Sequence, residues 1–324
     1  MLPQFSSLLE MLETFNTEAR CIQHLVNLRW GDTITCPRCG GADHISHIST
    51  RNIWHCNDCK QQFSVRTGTI FEESRLPLRK WFAAVWLLTS HRKGISSHQL
   101  ARDIGVTQKT AWFMLGRLRE VMPLLGEMRA LSGTVEMDDT YIGGKEGNKH
   151  ASKRAEGTRG RGSMKTKSVV LGMQERGGDV VAYKVPDLAG GTIEQVVSRD
   201  VLPGTQIMTD EFRGYRVLRR NPYGHRTVNH AAGEYVRDEV HTNTIENAWS
   251  LFKRGITGIY HHCSDKHLQR YLNEYMGRAN TRELDDDERV NQTLAKSKGL
   301  RLTYEELTGK KVYGKANGTN EKAC

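Results

Sequence analysis

The stretch TVEMDDTYI, residues 134–142, decides the reading of this chain. Its apolar and polar positions alternate as in a pleated strand, which puts Val135 and Met137 on one face and Glu136 and Asp138 on the other. An acidic side chain on an apolar strand is costly to bury unless something compensates it, so Asp138 is a candidate for chemistry. A second such strand, QIMTD (206–210), ends in Asp210, at the carboxyl edge where open α/β sheets build their sites. Thirty-five residues separate Asp210 from Glu246, early in the helical stretch TIENAWSLFKRG, and Lys253 lies seven positions further, two turns along the same face. Three carboxylates brought together repel unless a cation sits among them. The expected arrangement is a pair of Mg²⁺ ions about 3.5–4 Å apart that activates an attacking oxygen and stabilises a leaving one, with Lys253 on a phosphate. Asp139 and Glu211 are adjacent acids that face the other way, and Asn243 can replace Glu246 as a ligand. The bland alternative is a set of solvated surface carboxylates, of which 37 acidic residues offer many accidental triplets.

Around these positions lie further strands, KSVVLGMQ (167–174), DVVAYKVP (179–186) and HRTVNH (225–230). The helical patterns are TIEQVVSRDVL (192–202), NTIENAWSLFKRGI (243–256) and KHLQRYLNEYMGRAN (266–280). Three strands, a helix, a strand, a short helix, a strand and closing helices is the order of a ribonuclease-H-like α/β fold, expected over residues 129–284. From 285 to 324 the chain is charged and rich in Gly and Lys, and a loosely ordered tail is expected there.

Upstream, residues 73–128 have helical period. Within GISSHQLARDIGVTQKTAWFMLGRLREVM (94–122) a helix from Ser97 to Ile104, a turn at Gly105 and a second helix capped by Thr107 form a helix-turn-helix pattern. Gln108, Lys109 and Thr110 occupy the start of the second helix, where major-groove readers make their contacts, with Arg117 and Arg119 further along. An ordinary helical hairpin is the plainer reading. Residues 1–72 combine a helical lead-in, ending near Gly31, with short strands that bracket Cys36-Pro-Arg-Cys39 and Cys56-Asn-Asp-Cys59. Sixteen residues lie between the pairs, within the window of four-cysteine zinc ribbons. Four thiolates close a tetrahedron with no open position, so this Zn²⁺ is structural. His44, His47 and His55 rank below the cysteines as ligands. Seven cysteines, four clustered and three scattered, suit a metal site in a reducing compartment rather than a disulfide framework.

The formal charge is +10, and its placement identifies a polyanion as partner. Residues 145–167 carry eight basic against two acidic side chains, among them Lys153, Arg154, Arg159 and Arg161. A solvated loop is the alternative for that segment taken alone. No apolar run approaches membrane-spanning length, the best being Trp81–Leu88, and the start carries acidic residues rather than a basic secretory leader. A cytoplasmic, nucleoid-associated protein without membrane contact is expected.

Residues 18–282 resemble the bacterial insertion-sequence DDE transposases with an N-terminal zinc ribbon, the ISXO-like group related to the eukaryotic Merlin elements. The strings that carry the resemblance are CPRCGG, VEMDDTYIGGK, IMTDEFRGY, TVNH, HTNTIENAWSLFKRGITGIYHH and KHLQRYLNEYMGRAN. The resemblance implies a ribonuclease-H-like catalytic core, binding of terminal inverted repeats, and cleavage and strand transfer of double-stranded DNA with Mg²⁺ or Mn²⁺. It implies Asp138 and Asp210 as metal ligands, Glu246 or Asn243 as the third, and Lys253 as the downstream lysine. Where relatives commonly have Asp-Glu, this chain has Asp138-Asp139. Synapsis of two ends implies a homodimer or higher oligomer. A DNA-binding regulator derived from such an enzyme, without catalysis, is the alternative function.

Overall fold

The computed structural model of the protein describes residues 2–126, 129–144, 150, 152, 166–220, 222–229, 233–234 and 236–309. Local signals set the helix limits in its first half. In α1 (Leu8–Thr14) and α2 (Glu18–Trp30) the Ser7 and Thr17 hydroxyls accept from the N–H groups of Glu10 and Arg20, and α2 stops at Gly31, whose φ of 59° suits glycine. A small antiparallel sheet follows, β1 (Ile45–Ile48), β2 (Ile53–Cys56) and β3 (Gln62–Phe63). Trp54 and Phe63 stack on its inner face with Trp30 against them.

Next come α3 (Leu78–Ser90), α4 (Ser97–Ile104) and α5 (Gln108–Val121). Ser96 caps α4, Gly105 ends it in the left-handed region at φ 61°, and Thr107 caps α5. Lys80 of α3 donates to the Gly105 carbonyl at 2.7 Å and fixes the turn. These helices share one core with the ribbon, through Phe15, Leu25, Phe82, Leu100, Met114 and Leu118.

The expected loose tail is in part a structural element. α9 (Asp286–Ala295) opens with a capping box, Asp285 with Glu288, and buries Val290 and Leu294 in the core formed by α2 and α3. Its buried Asn291 lies 2.8 Å from His24 of α2. The chain continues past Gly68, whose carbonyl accepts from Gly299 N at 2.7 Å, into α10 (Tyr304–Thr308) against α5. Val290 and Leu294 at i, i+4 pay no heed to the surrounding charge, because apolar spacing on one face decides what a helix buries.

Between α5 and α9 lies a five-stranded sheet in the order β6-β5-β4-β7-β8. Its strands are β4 (Thr134–Ile142), β5 (Ser168–Glu175), β6 (Val180–Val185), β7 (Gln206–Thr209) and β8 (Gly224–Thr227). β4 runs antiparallel to β5 and parallel to β7, and β7 runs parallel to β8. One face, with Val135, Met137 and Ile207, packs on α6 (Gly190–Asp200) and a 3-10 segment, Arg213–Arg220. The other packs on α7 (Asn243–Gly255) and α8 (Leu268–Asn280) through Val170, Ile245, Trp249 and Leu272. Gly172 pairs with Asp138, and a Cβ there would stand 2.4 Å from the Trp249 ring, so the missing side chain lets α7 lie close against the strand that carries Asp138.

Candidate metal centres and catalytic face

The two cysteine knuckles are built alike. Cys36 N donates to Gly41 O and Cys56 N to Gln61 O, and each turn is closed by a residue with positive φ, Gly40 at 78° and Lys60 at 57°. The thiols of Cys36, Cys39, Cys56 and Cys59 all lie within 4.8 Å of one another. Cys36 and Cys59 are 3.7 Å apart and Cys39 and Cys56 3.6 Å. A tetrahedral ion with Zn–S bonds of about 2.3 Å sets sulfurs about 3.8 Å apart, so the donor set fits structural Zn²⁺. His44 is tied instead to Asp58 at 2.8 Å and His47 stacks on Trp54.

Strand parity sorts the acids. Asp138 shares the α7 face with Glu136, whereas Asp139 shares the opposite face with Val135 and Met137 and accepts a hydrogen bond from the buried Tyr215 hydroxyl at 3.2 Å. Asp210 follows β7 at its carboxyl end, where its Oδ1 accepts from Phe212 N at 3.0 Å. Glu246 is exposed in the first turn of α7 and accepts from the Thr242 hydroxyl at 2.7 Å. Asn243, the first residue of that helix, and Lys253, two turns beyond Glu246, are exposed as well.

Electrostatics join these residues. Burial pushes the Asp138 carboxyl up to about 7, and repulsion from Asp139, Asp210 and Glu246 adds to it. Burial likewise raises Asp139, to about 6, although the Tyr215 hydrogen bond opposes it. A carboxyl so raised is readily protonated near neutral pH, and a nearby positive charge would favour its ionised form. Among the described residues the four thiols are the one group of three or more candidate ligands packed within 4.8 Å; the carboxylates stand further apart.

A residue that sequence reasoning left aside holds this face together. Glu136, fully buried, accepts from the backbone N–H of Thr244 at 2.7 Å and of Ile245 at 3.2 Å, and from the Thr244 hydroxyl at 2.9 Å. It is thus the cap of α7, supplied from the central strand. Arg176 at 2.7 Å balances its charge, and His241 Nδ1 lies 3.1 Å away. The signal was present in the alternation that set Glu136 beside Asp138.

At the start of α5, Gln108 and Lys109 are exposed and Thr110 half-buried. Gln108 donates to Ser97, Thr110 bonds Thr107, and Lys109 lies 4.9 Å over the Tyr304 ring. Arg117 corrects the sequence expectation. It is 3% exposed and donates to the carbonyls of Leu302, Ile70 and Glu72, because the returning C-terminal chain covers that flank of α5. Arg119 is equally buried, against Glu274. Neither faces a ligand. Lys153, Arg154, Arg159 and Arg161 lie outside the described residues. Among the described residues no helix is long and apolar enough to cross a membrane.

Comparison with known proteins identifies the family. Residues 130–280 match the ISXO2-like transposase domain, and residues 16–62 match the transposase zinc-ribbon domain. The chain is 32% identical to a protein described as an uncharacterized protein in transposable element ISH50 of Halobacterium salinarum, over 76% of this chain and 85% of that one. It is 27% identical to an uncharacterized transposase-like protein of Haemophilus influenzae, over 36% of this chain and 94% of the relative. With a four-thiol ribbon ahead of the transposase domain, the chain belongs to the IS1595 family of insertion-sequence transposases.

Proposed function

We propose that the protein is an active DDE transposase that binds the terminal inverted repeats of an insertion sequence, hydrolyses a phosphodiester at the element end, and directs the freed 3′-hydroxyl at target DNA. The β4-centred sheet is read as a ribonuclease-H-like core, α4 and α5 as a helix-turn-helix, and the boundaries as 1–72, 73–128 and 129–284. The last boundary is followed by α9, which joins the first unit. The observation that carries the reading is that Asp138 on β4, Asp210 at the carboxyl end of β7 and Glu246 in the first turn of α7 come close enough for the last two to add to burial and Asp139 in raising the Asp138 carboxyl.

Asp138 and Asp210 would hold the catalytic Mg²⁺ or Mn²⁺, with Glu246 or Asn243 as the third ligand. When bound, the cations supply charge neutralisation for the attacking and leaving oxygens. Asp138 would hold the cation as the ionised carboxylate. Lys253, exposed two turns from Glu246, orients a phosphate beside the site. Gln108, Lys109 and Thr110, with the basic residues 153–161, contact the element end, and the ribbon sets their register. A dimer or larger assembly brings two ends together, and the reaction takes place on nucleoid DNA in the cytoplasm.

Purified protein incubated with a duplex bearing candidate element ends and Mg²⁺ provides the test. Asp138→Asn and Asp210→Asn are expected to abolish cleavage, by about 10³-fold or more, with end binding within about twofold of the parent. Undiminished cleavage removes them from the mechanism. Glu246→Gln and Asn243→Ala, compared in the same assay, decide the third ligand.

A further inference from the structure

We infer that the 3-10 segment Arg213–Arg220 is the seat for target DNA, a row of arginines that grips the phosphate backbone of a duplex of no defined sequence beside Asp210. The inference rests on the transposase reading above.

The segment's geometry makes the row. On a 3-10 helix, residues three apart eclipse one another. Arg213, Arg216 and Arg219 therefore stand on one edge, and all three are exposed, as is Arg220. Tyr215 and Leu218, also three apart, are fully buried on the opposite edge. With a rise of about 2 Å per residue, successive arginines are about 6 Å apart, a span that their long stems spread over phosphates placed every ~3.4 Å of axis on a strand. Runs of this helix beyond three or four residues are uncommon, and this one has eight. An α-helix of the same sequence would turn one of the three arginines away from the others.

The row is anchored to the catalytic face rather than hung from it. Asp210 receives Phe212 N, so the segment starts at the carboxyl end of β7. Tyr215 donates to Asp139 of β4. Gly214 fits only as glycine, since a Cβ would stand 2.7 Å from the Leu188 carbonyl. At the far end lies His225, near the start of β8, whose imidazole is pushed down to about 4 by burial and, to a lesser extent, by the Arg219 charge. A strand lying along the row is thereby carried toward Asp210.

Target DNA is the occupant that fits. The arginines offer positive charge beside the site, with no Asn, Gln, Ser or Thr interleaved from Arg213 to Arg220 to read base edges. Contacts to phosphate position a duplex without specifying its sequence. The exposed start of α5, on a different body, carries the polar side chains suited to a defined end.

The test compares full-length protein with the triple variants R213A/R216A/R219A and R213K/R216K/R219K, each checked for zinc content and thermal melt. Three quantities are read: affinity for a random-sequence duplex against salt, cleavage of a pre-bound element end, and joining of a precut end to plasmid. For the alanine variant, random-duplex affinity is expected to fall at least about 10-fold, with a salt slope shallower by roughly 2.7, about 0.9 per lost phosphate contact. Joining should fall in parallel, end cleavage should stay within about twofold, and the lysine variant should recover most of both losses. Unchanged random-duplex affinity and joining overturn the proposal. An equal loss in end cleavage also overturns it and assigns the row to the element end. If the parent neither cleaves nor joins, the transposase reading fails by itself; an unchanged salt slope would then refute the arginine row independently.

Discussion

Arg119 Nε of α5 lies 2.6 Å from Glu274 Oε2 of α8, and both side chains are closed off from solvent. Arg278 and the Tyr260 hydroxyl bind the other oxygen of the same carboxylate. The helical body that carries α5 and the sheet body that carries α8 are thereby joined through one buried charge. Its removal leaves two arginines without a counter-charge, so Glu274→Ala is expected to lower stability by about 3–5 kcal/mol. Urea unfolding measures it, and a loss below about 1 kcal/mol contradicts the assignment. Burial alone would raise the Glu274 carboxyl, but Arg278 and Arg119 outweigh it and hold it below its ordinary range. Its contribution is therefore complete at neutral pH and is lost as the pH falls from the ordinary carboxylate range through that lowered value.

Asp138 behaves in the opposite sense. Its carboxyl is raised to about 7 in the folded chain, against about 3.8 when unfolded, so between these values the folded state holds the extra proton. In metal-free protein the residue favours folding most below about pH 4, and that contribution fades as pH rises to 7. Asp138→Asn should raise the melting temperature more at pH 8 than at pH 5, at roughly 2–4 °C per kcal/mol relieved. A scan in EDTA at both pH values decides, and an equal or reversed effect contradicts the clustering of the acids. Mg²⁺ should stabilise the parent increasingly with pH and the variant little.

Glu136→Gln keeps an acceptor for α7 but removes the charge that faces Arg176. Cleavage is expected to drop about 10-fold, the equivalent of the 1–2 kcal/mol that a helix cap contributes, together with a higher Mg²⁺ requirement. End binding, measured by fluorescence anisotropy, should not change. Full activity at low Mg²⁺ would detach this residue from the site.

The ribbon should contain about one Zn per chain by elemental analysis. Cys56→Ser is expected to lose that metal and weaken end binding at least about 10-fold. The sheet body has its own core and should keep its secondary structure by circular dichroism. A folded, metal-free ribbon that still binds ends contradicts the site.

Much of this was legible because local rules were strong. The alternation of TVEMDDTYI placed Glu136 and Asp138 on one face, and Ser96, Gly105 and Thr107 punctuated α4 and α5 at the residues where the helices begin and end. What escaped notice depended on partners distant in sequence. Arg117 has the spacing of an exposed helix position, and it is the Leu302 carbonyl, 185 residues away, that buries it. The run DDDER disguised α9, whose apolar residues amount to little more than Val290 and Leu294. Leu294→Ala should accordingly cost about 2–5 kcal/mol, as a core position does, and a cost near zero would return this segment to the surface.

The packing of α9 on α2 and α3 has a bearing on biogenesis. Chains emerge from the ribosome N-terminus first, and domains fold as they appear. Here the helical body of α2 and α3 lacks Val290, Leu294 and the partner of His24 until the ribosome has passed the entire sheet body. A nascent chain thus exposes an unfinished surface while its sheet body assembles, and a product that terminates early, upstream of Asp285, carries Asp138, Asp210 and Glu246 on a protein whose first-made half has never closed.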